Sequence, residues 1–232
     1  MDLIRGIWNF SINRRVPTRL QWGGKHPINI IRLGPTHTLH DTKGDLVTEL
    51  FWGDINFHEK SSIWDVKNKW GYISKEFIWI RNVLKKIKYK DDLVQIFIRY
   101  TNALDTNDYE TSYLKLCSLL EFLTNTINSN YDKTISRSLF IYKDDIISRE
   151  IIEHLRIFRN RVVHFGETRD ELDPLLFQIK RFVEINIWLH LKLAGEFNSL
   201  EDFGKFLDLP KSKKSILNEI AYRKKAIKFL YS

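Results

Sequence analysis

The chain is poor in the residues that most metal and small-molecule chemistry requires. One cysteine, Cys117, among 232 residues leaves no internal disulfide. This fits a reducing compartment, so a cytoplasmic location is expected. No Cys/His spacing suits zinc, and no glycine loop is shaped to cradle a phosphate. A Gly-x-Ser-x-Gly elbow and an Asp-rich cation loop are also missing. His37 and His40 stand three apart with no third ligand close in sequence. Neither cofactor nor metal is expected. Long apolar runs are lacking as well: residues 182–193 are interrupted by Glu184, Asn186 and His190. A bilayer needs roughly 20 apolar residues, so no membrane span is expected and no membrane partner. Residues 1–6 lack the basic-then-apolar order of a signal peptide.

What remains is the composition of a globular protein, 43% apolar and 28% charged, long enough for one large domain or a small one plus a main one. Net charge is +8, and its location is informative. Residues 211–232 carry seven cations, among them Lys213, Lys214, Arg223, Lys224 and Lys225, against Glu219 alone. A basic terminal helix is either a footprint for a polyanion or a solvated face.

Residues 1–60 hold three of the five prolines and six of the ten glycines. Short β-favouring runs at 28–33, 36–39 and 46–52 lie between these breakers, and Thr42-Lys43-Gly44-Asp45 reads as a hairpin turn. This predicts a small β-rich N-terminal portion with an antiparallel sheet. Trp8, Trp22 and Trp52 would pack it onto the rest, or form an aromatic platform for nucleic acid. From residue 75 to 232 the pattern is helical. Phe77, Ile80, Leu84 and Ile87 recur at three- and four-residue steps. Further helices are predicted at 91–104, 108–127 (capped by Thr106 or Asn107), 133–142, 146–163, 173–193, 200–207 and 211–230. The fold class expected is mainly α, an up-and-down helical bundle preceded by the β-rich portion.

Two places in the helical part hold chemistry. Arg159-Asn160-Arg161-Val162-Val163-His164-Phe165-Gly166 ends a strongly helical run, with Gly166 as its stop. It packs two cations, an amide and an imidazole into six residues that follow the apolar Leu155, Ile157 and Phe158. A histidine moves protons near neutral pH and an arginine holds phosphate with its planar fork. Beside apolar neighbours, His164 is either a core or capping residue or a catalyst. Glu121 sits among Leu119, Leu120, Phe122 and Leu123, so its helix is buried on much of its circumference. Burying that carboxylate unpaired would cost several kcal/mol, and Arg159 is the natural partner. Such a pair fixes helix packing, orients the active groups, or does both.

Arg159-Asn160-x-x-x-His164 resembles the R-N-x-x-x-H signature of HEPN domains, helical modules many of which are ribonucleases. Upstream stand Arg99-Tyr100-Thr101-Asn102-Ala103-Leu104 and the leucine-rich run 113–123 with its embedded Glu121. That order is similar to the Apea-like HEPN branch, and the resemblance covers roughly residues 91–193. It implies metal-independent RNA cleavage, with the ribose 2′-hydroxyl attacking the adjacent phosphorus. His164 would be general acid or base, and Arg159 would stabilise charge on the non-bridging oxygens. Asn160 would orient the histidine, Arg161 would contact flanking phosphates, and Glu121 would orient the site. The resemblance further implies a homodimer with a composite active site, and RNA, tRNA included, as partner. It also suggests a toxin-like effector of defence against phage, with a neutralising partner. The alternatives are a non-catalytic HEPN module that binds RNA, nucleotide or protein, and a structural bundle whose tail binds nucleic acid or membrane.

Overall fold

The computed structural model describes residues 1–13, 29–53, 70–106, 108–142, 145–165 and 172–231. The expectations placed on Trp22, Asn107 and Gly166, and on the side chain of His164, lie outside the described residues. The chain is mainly helical, with one two-stranded antiparallel sheet on its N-terminal side.

The first element departs from the β-rich expectation. Residues Asp2–Asn13 form α1, a helix that packs against the bundle. Ile7 and Phe10 are buried in the main core, and Phe10 meets Phe97 edge-on at 5.9 Å. Gly6, one of the apparent breakers, is the point of closest approach. A Cβ there would lie 2.6 Å from the Phe97 carbonyl oxygen, so only glycine lets the two helices touch. The run at 28–33 is not a strand where it is described. Its backbone is held by a side chain instead: the Asn9 carboxamide oxygen accepts from the amides of Ile30 (2.9 Å) and Ile31 (3.0 Å). Trp8 packs on Trp70 and Phe77, as a packing role requires.

The hairpin is where the pattern placed it. Strand β1 (Thr36–His40) pairs with β2 (Leu46–Gly53), His37 opposite Trp52 and Thr38 opposite Phe51. Gly44, at φ +95°, supplies the left-handed residue of the turn, and the Asp41 carboxylate accepts from the amides of Lys43 and Asp45. Leu46, Val47, Leu50, Phe51 and Trp52 are exposed, so Trp52 does not pack the sheet onto the helices.

The bundle follows as α2 (Trp70–Leu84), α3 (Lys90–Leu104), α4 (Tyr109–Leu123), α5 (Tyr131–Ser138), a 3-10 turn (Phe140–Tyr142), α6 (Ile146–Phe165), α7 (Asp173–Lys192), α8 (Leu200–Leu207) and α9 (Lys213–Leu230). Helix α7 runs through the centre and buries residues nearly all round, Leu176, Ile179, Val183 and Ile187 among them. Its buried Lys180 and Glu184 pair at 2.9 Å, and Tyr100 donates to the same carboxylate oxygen, Oε1, at 2.5 Å. Helix α4 starts at an Asp108 cap, rather than at Thr106, and ends at Leu123, four residues before the expected stop. Asn125 turns left-handed at φ 51°, and side chains then take over the helix's terminal carbonyls. Among the described residues no helix is long and apolar enough to cross a membrane.

Candidate functional site

Helices α4 and α6 bring the two singled-out stretches together. Along α6 the residues Ile152, Leu155, Phe158 and Val162 are buried at helical spacing, which leaves Arg159 on the border between core and solvent. The two helices are fastened directly beneath it. The Tyr113 hydroxyl donates to the Leu155 carbonyl at 2.6 Å, and its ring meets Phe158 edge-on at 5.0 Å.

Above this contact the Arg159 guanidinium meets three groups. Its Nη2 donates to Glu121 Oε1 at 3.4 Å, and its Nη1 donates to Asn160 Oδ1 at 3.3 Å. The ring of Tyr131, the first residue of α5, lies 5.3 Å from its Cζ, within cation–π range. The side chains of Arg159 and Glu121 retain 30% and 19% of their exposure, so the pair is partly desolvated but reachable from solvent. Burial pushes the Glu121 carboxyl above its ordinary value, and Arg159 draws it back only in part.

Of the residues singled out in the sequence, Glu121, Arg159 and Asn160 meet in one place. The backbone of His164 follows Asn160 by one turn, within the last turn of α6. Asn160 turns its carboxamide oxygen to Arg159. Arg161 is exposed on the same helix. Lys213, Lys214, Arg223, Lys224 and Lys225 lie on α9, which buries no residue, and Arg223 is engaged within its own helix by Glu219 at 2.6 Å. In the hairpin, His40 spends one ring nitrogen on Thr38 (3.0 Å) and the other on the Gly44 carbonyl (2.9 Å).

Sequence reasoning missed Tyr131. It follows a cap residue, Asn130, and nothing in its local pattern signals a neighbour on another helix. Behind it lies Cys117, buried and hydrogen-bonded toward Tyr113 and Tyr131. Burial pushes this thiol up to about 12, so it is a neutral packing group and not a nucleophile.

The arrangement can hold an anion. A guanidinium steered by a carboxylate and an aromatic ring, with an amide beside it, suits a phosphate or a developing oxyanion. Compared with protein-family models, curated proteins and solved structures, the chain shows no match to any.

Proposed function

We propose that the chain is a metal-independent endoribonuclease of HEPN type. The observation that carries this reading is the Arg159 guanidinium, held by Glu121 at 3.4 Å and flanked by Asn160, on the helix that continues to His164. The energetics of the pair add support. Burial raises the Glu121 carboxyl and Arg159 offsets this only in part, and a partly exposed pair adds little to stability, which fits a positioning role for the carboxylate.

In the proposed reaction the ribose 2′-hydroxyl attacks the adjacent phosphorus and the bond to the 5′-oxygen breaks. The products are a 2′,3′-cyclic phosphate and a 5′-hydroxyl. His164 takes or returns the proton, a role that contributes about 10²–10⁴-fold. Arg159 stabilises charge on the non-bridging oxygens, and Glu121, Asn160 and Tyr131 hold it in place. Arg161 contacts flanking phosphates, and the cations of α9 gather RNA from solution. One histidine cannot serve both ends of the reaction at once, so two copies supply a composite site. A toxin-like effector of defence against phage, held in check by a neutralising partner, is the biological role this chemistry fits.

Incubation of the full chain with total RNA and tRNA in EDTA, followed by sequencing of the ends, tests this. Cyclic-phosphate ends that vanish in Arg159→Ala and in His164→Ala are expected. RNA left uncut by the wild type would sink the enzyme reading and leave a non-catalytic binding module.

A further inference from the structure

Several arginines of the bundle are engaged by carboxylates, and Arg99 is among those that are not. Arg5, Arg137, Arg156 and Arg159 are each held by an aspartate or glutamate. Arg99, exposed on α3, has no carboxylate within ion-pair distance among the described residues. Its Cζ lies instead over the ring of Phe122, 4.4 Å from the centroid. On the same side Lys115 reaches Thr106 Oγ1 at 2.8 Å, again without an acidic partner.

These residues form a continuous surface because α3 and α4 run antiparallel. The contacts Thr106–Lys115 and Arg99–Phe122 climb the two helices in opposite directions, as antiparallel neighbours require. The exposed row of α3 carries Gln95, Arg99 and Asn102, and the outer ridge of α4 carries Lys115, Ser118 and Phe122. All six are cationic, hydrogen-bonding or aromatic, and none is acidic. Glu121 and Phe122 are adjacent on α4. Arg159 reaches the first from α6 and Arg99 overlies the second from α3, so the two guanidinium groups flank one helix, about 10–12 Å across.

We infer that the α3–α4 face around Arg99, Phe122 and Lys115 is a binding site for single-stranded RNA, continuous with the Arg159 site across α4. This rests on the ribonuclease reading and adds where the strand lies. Arg99, backed by the Phe122 ring, presents its outer plane to an unstacked base, the way single-stranded RNA is commonly held. Lys115 neutralises a backbone phosphate, and Asn102 and Ser118 offer hydrogen bonds to sugar or base edges. A duplex keeps its bases stacked inside and cannot use the Arg99 plane. The face therefore selects a single strand.

Fluorescence anisotropy on the full-length His164→Ala protein tests this, with a labelled mixed-sequence RNA of about 12 nucleotides, single-stranded or as its duplex. Arg99→Gln and Lys115→Gln should each flatten the plot of log affinity against log salt by about 0.7. Arg99→Gln should weaken single-strand binding roughly fivefold or more. Arg99→Lys should keep the salt slope yet still bind more weakly, because the charge stays and the stacking plane goes. If the single strand binds and both glutamine variants match the parent in affinity and slope, the inference fails while the ribonuclease reading stands. Loss of duplex binding with single-strand binding intact would equally overturn it. If the parent binds no RNA at all, both readings fall together.

Discussion

Arg159 meets α4 at Glu121 and Arg137 meets its C-terminal end, about one turn apart, and they are held in opposite ways. Arg137 is 4% exposed. Its Nη1 donates to the carbonyls of Thr124 (2.7 Å) and Asn125 (2.9 Å), and its Nε and Nη2 grip Asp208 at 2.7 and 2.6 Å. Gly204 stands aside for it, since a Cβ there would lie 2.5 Å from Nη1. The neighbouring Leu123 carbonyl accepts from His190 Nε2 at 2.9 Å, and Thr124 donates its hydroxyl back to Leu120 at 2.8 Å. With the Glu121 and Phe122 carbonyls accepting from the amides of Thr126 and Asn125, the carbonyls that this helix end leaves open are taken. Arg159 has two long hydrogen bonds, at 3.3 and 3.4 Å, beside the Tyr131 ring, and stays partly open to solvent. A structural arginine spends its donors on the protein. Arg159 is positioned by the protein with donor capacity left over, which is what a ligand-binding arginine needs.

The contrast breaks if the two residues behave alike on mutation. Arg159→Ala should lower RNA cleavage by about 10²–10³-fold. It should leave stability within roughly 1 kcal/mol, because the pair it removes is half-exposed. Arg137→Gln should do the reverse. It strips Asp208 and two carbonyls of their partner, and should cost about 3 kcal/mol, a melting temperature lower by about 6–12 °C. Its cleavage rate at a temperature where it stays folded should match the wild type. Thermal melts beside a cleavage assay decide this. Comparable melting losses for both variants would show that Arg159 is an ordinary fastener.

How much of this the sequence carried depends on the range of the forces involved. Helix α8 was legible because its signals are local: Ser199 caps it by accepting from Asp202, and Leu200, Phe203 and Leu207 mark one buried face. The Glu121–Arg159 contact was legible for another reason, since an acid in an apolar helix calls for a cation. The end of α4 was not. What stops it at Leu123 is a left-handed Asn125, secured by Arg137 twelve residues on and by His190 from α7. Helix α1 was hidden likewise. Gly6 reads as a breaker in sequence and acts as a contact point only once α3 lies against it. Tyr131 meets Arg159, and Phe122 meets Arg99, across helices, which no helical wheel displays.

The closed end of α4 also carries a pH signature opposite in sign to that of the open site. His190 is fully buried and stacked on Phe203 at 3.8 Å. Its Nε2 donates to Leu123, and the Tyr89 hydroxyl lies 3.1 Å from Nδ1. Burial pulls its pKa down to about 4. The unfolded chain therefore takes up a proton below about pH 6.5 that the folded chain refuses. Stability should fall as pH drops from about 6.5 toward 4, by about 3 kcal/mol over that window. Urea unfolding of wild type and His190→Gln at pH 7.5 and pH 5 reads this directly. The variant should start less stable and lose less on acidification. Equal losses in both proteins would place the acid sensitivity elsewhere.

The smallest effect bears most closely on what Glu121 is for. Its folded-state carboxyl is raised by burial, so folding is favoured by protonating it rather than by its charge. The sign follows: the carboxylate opposes folding above the ordinary carboxylate range, and this opposition is relieved as pH falls through it. Glu121→Gln removes the charge at nearly constant shape. The melting temperature at neutral pH should hold or rise slightly, because one desolvated charge disappears while Arg159 keeps Asn160 and the Tyr131 ring. Cleavage should fall about tenfold, in kcat rather than KM, as Arg159 wanders from the position its carboxylate partner imposed. A variant that melts several degrees lower with cleavage intact would assign the pair to helix packing. The contrast with Arg137 would then lie only in exposure and not in role.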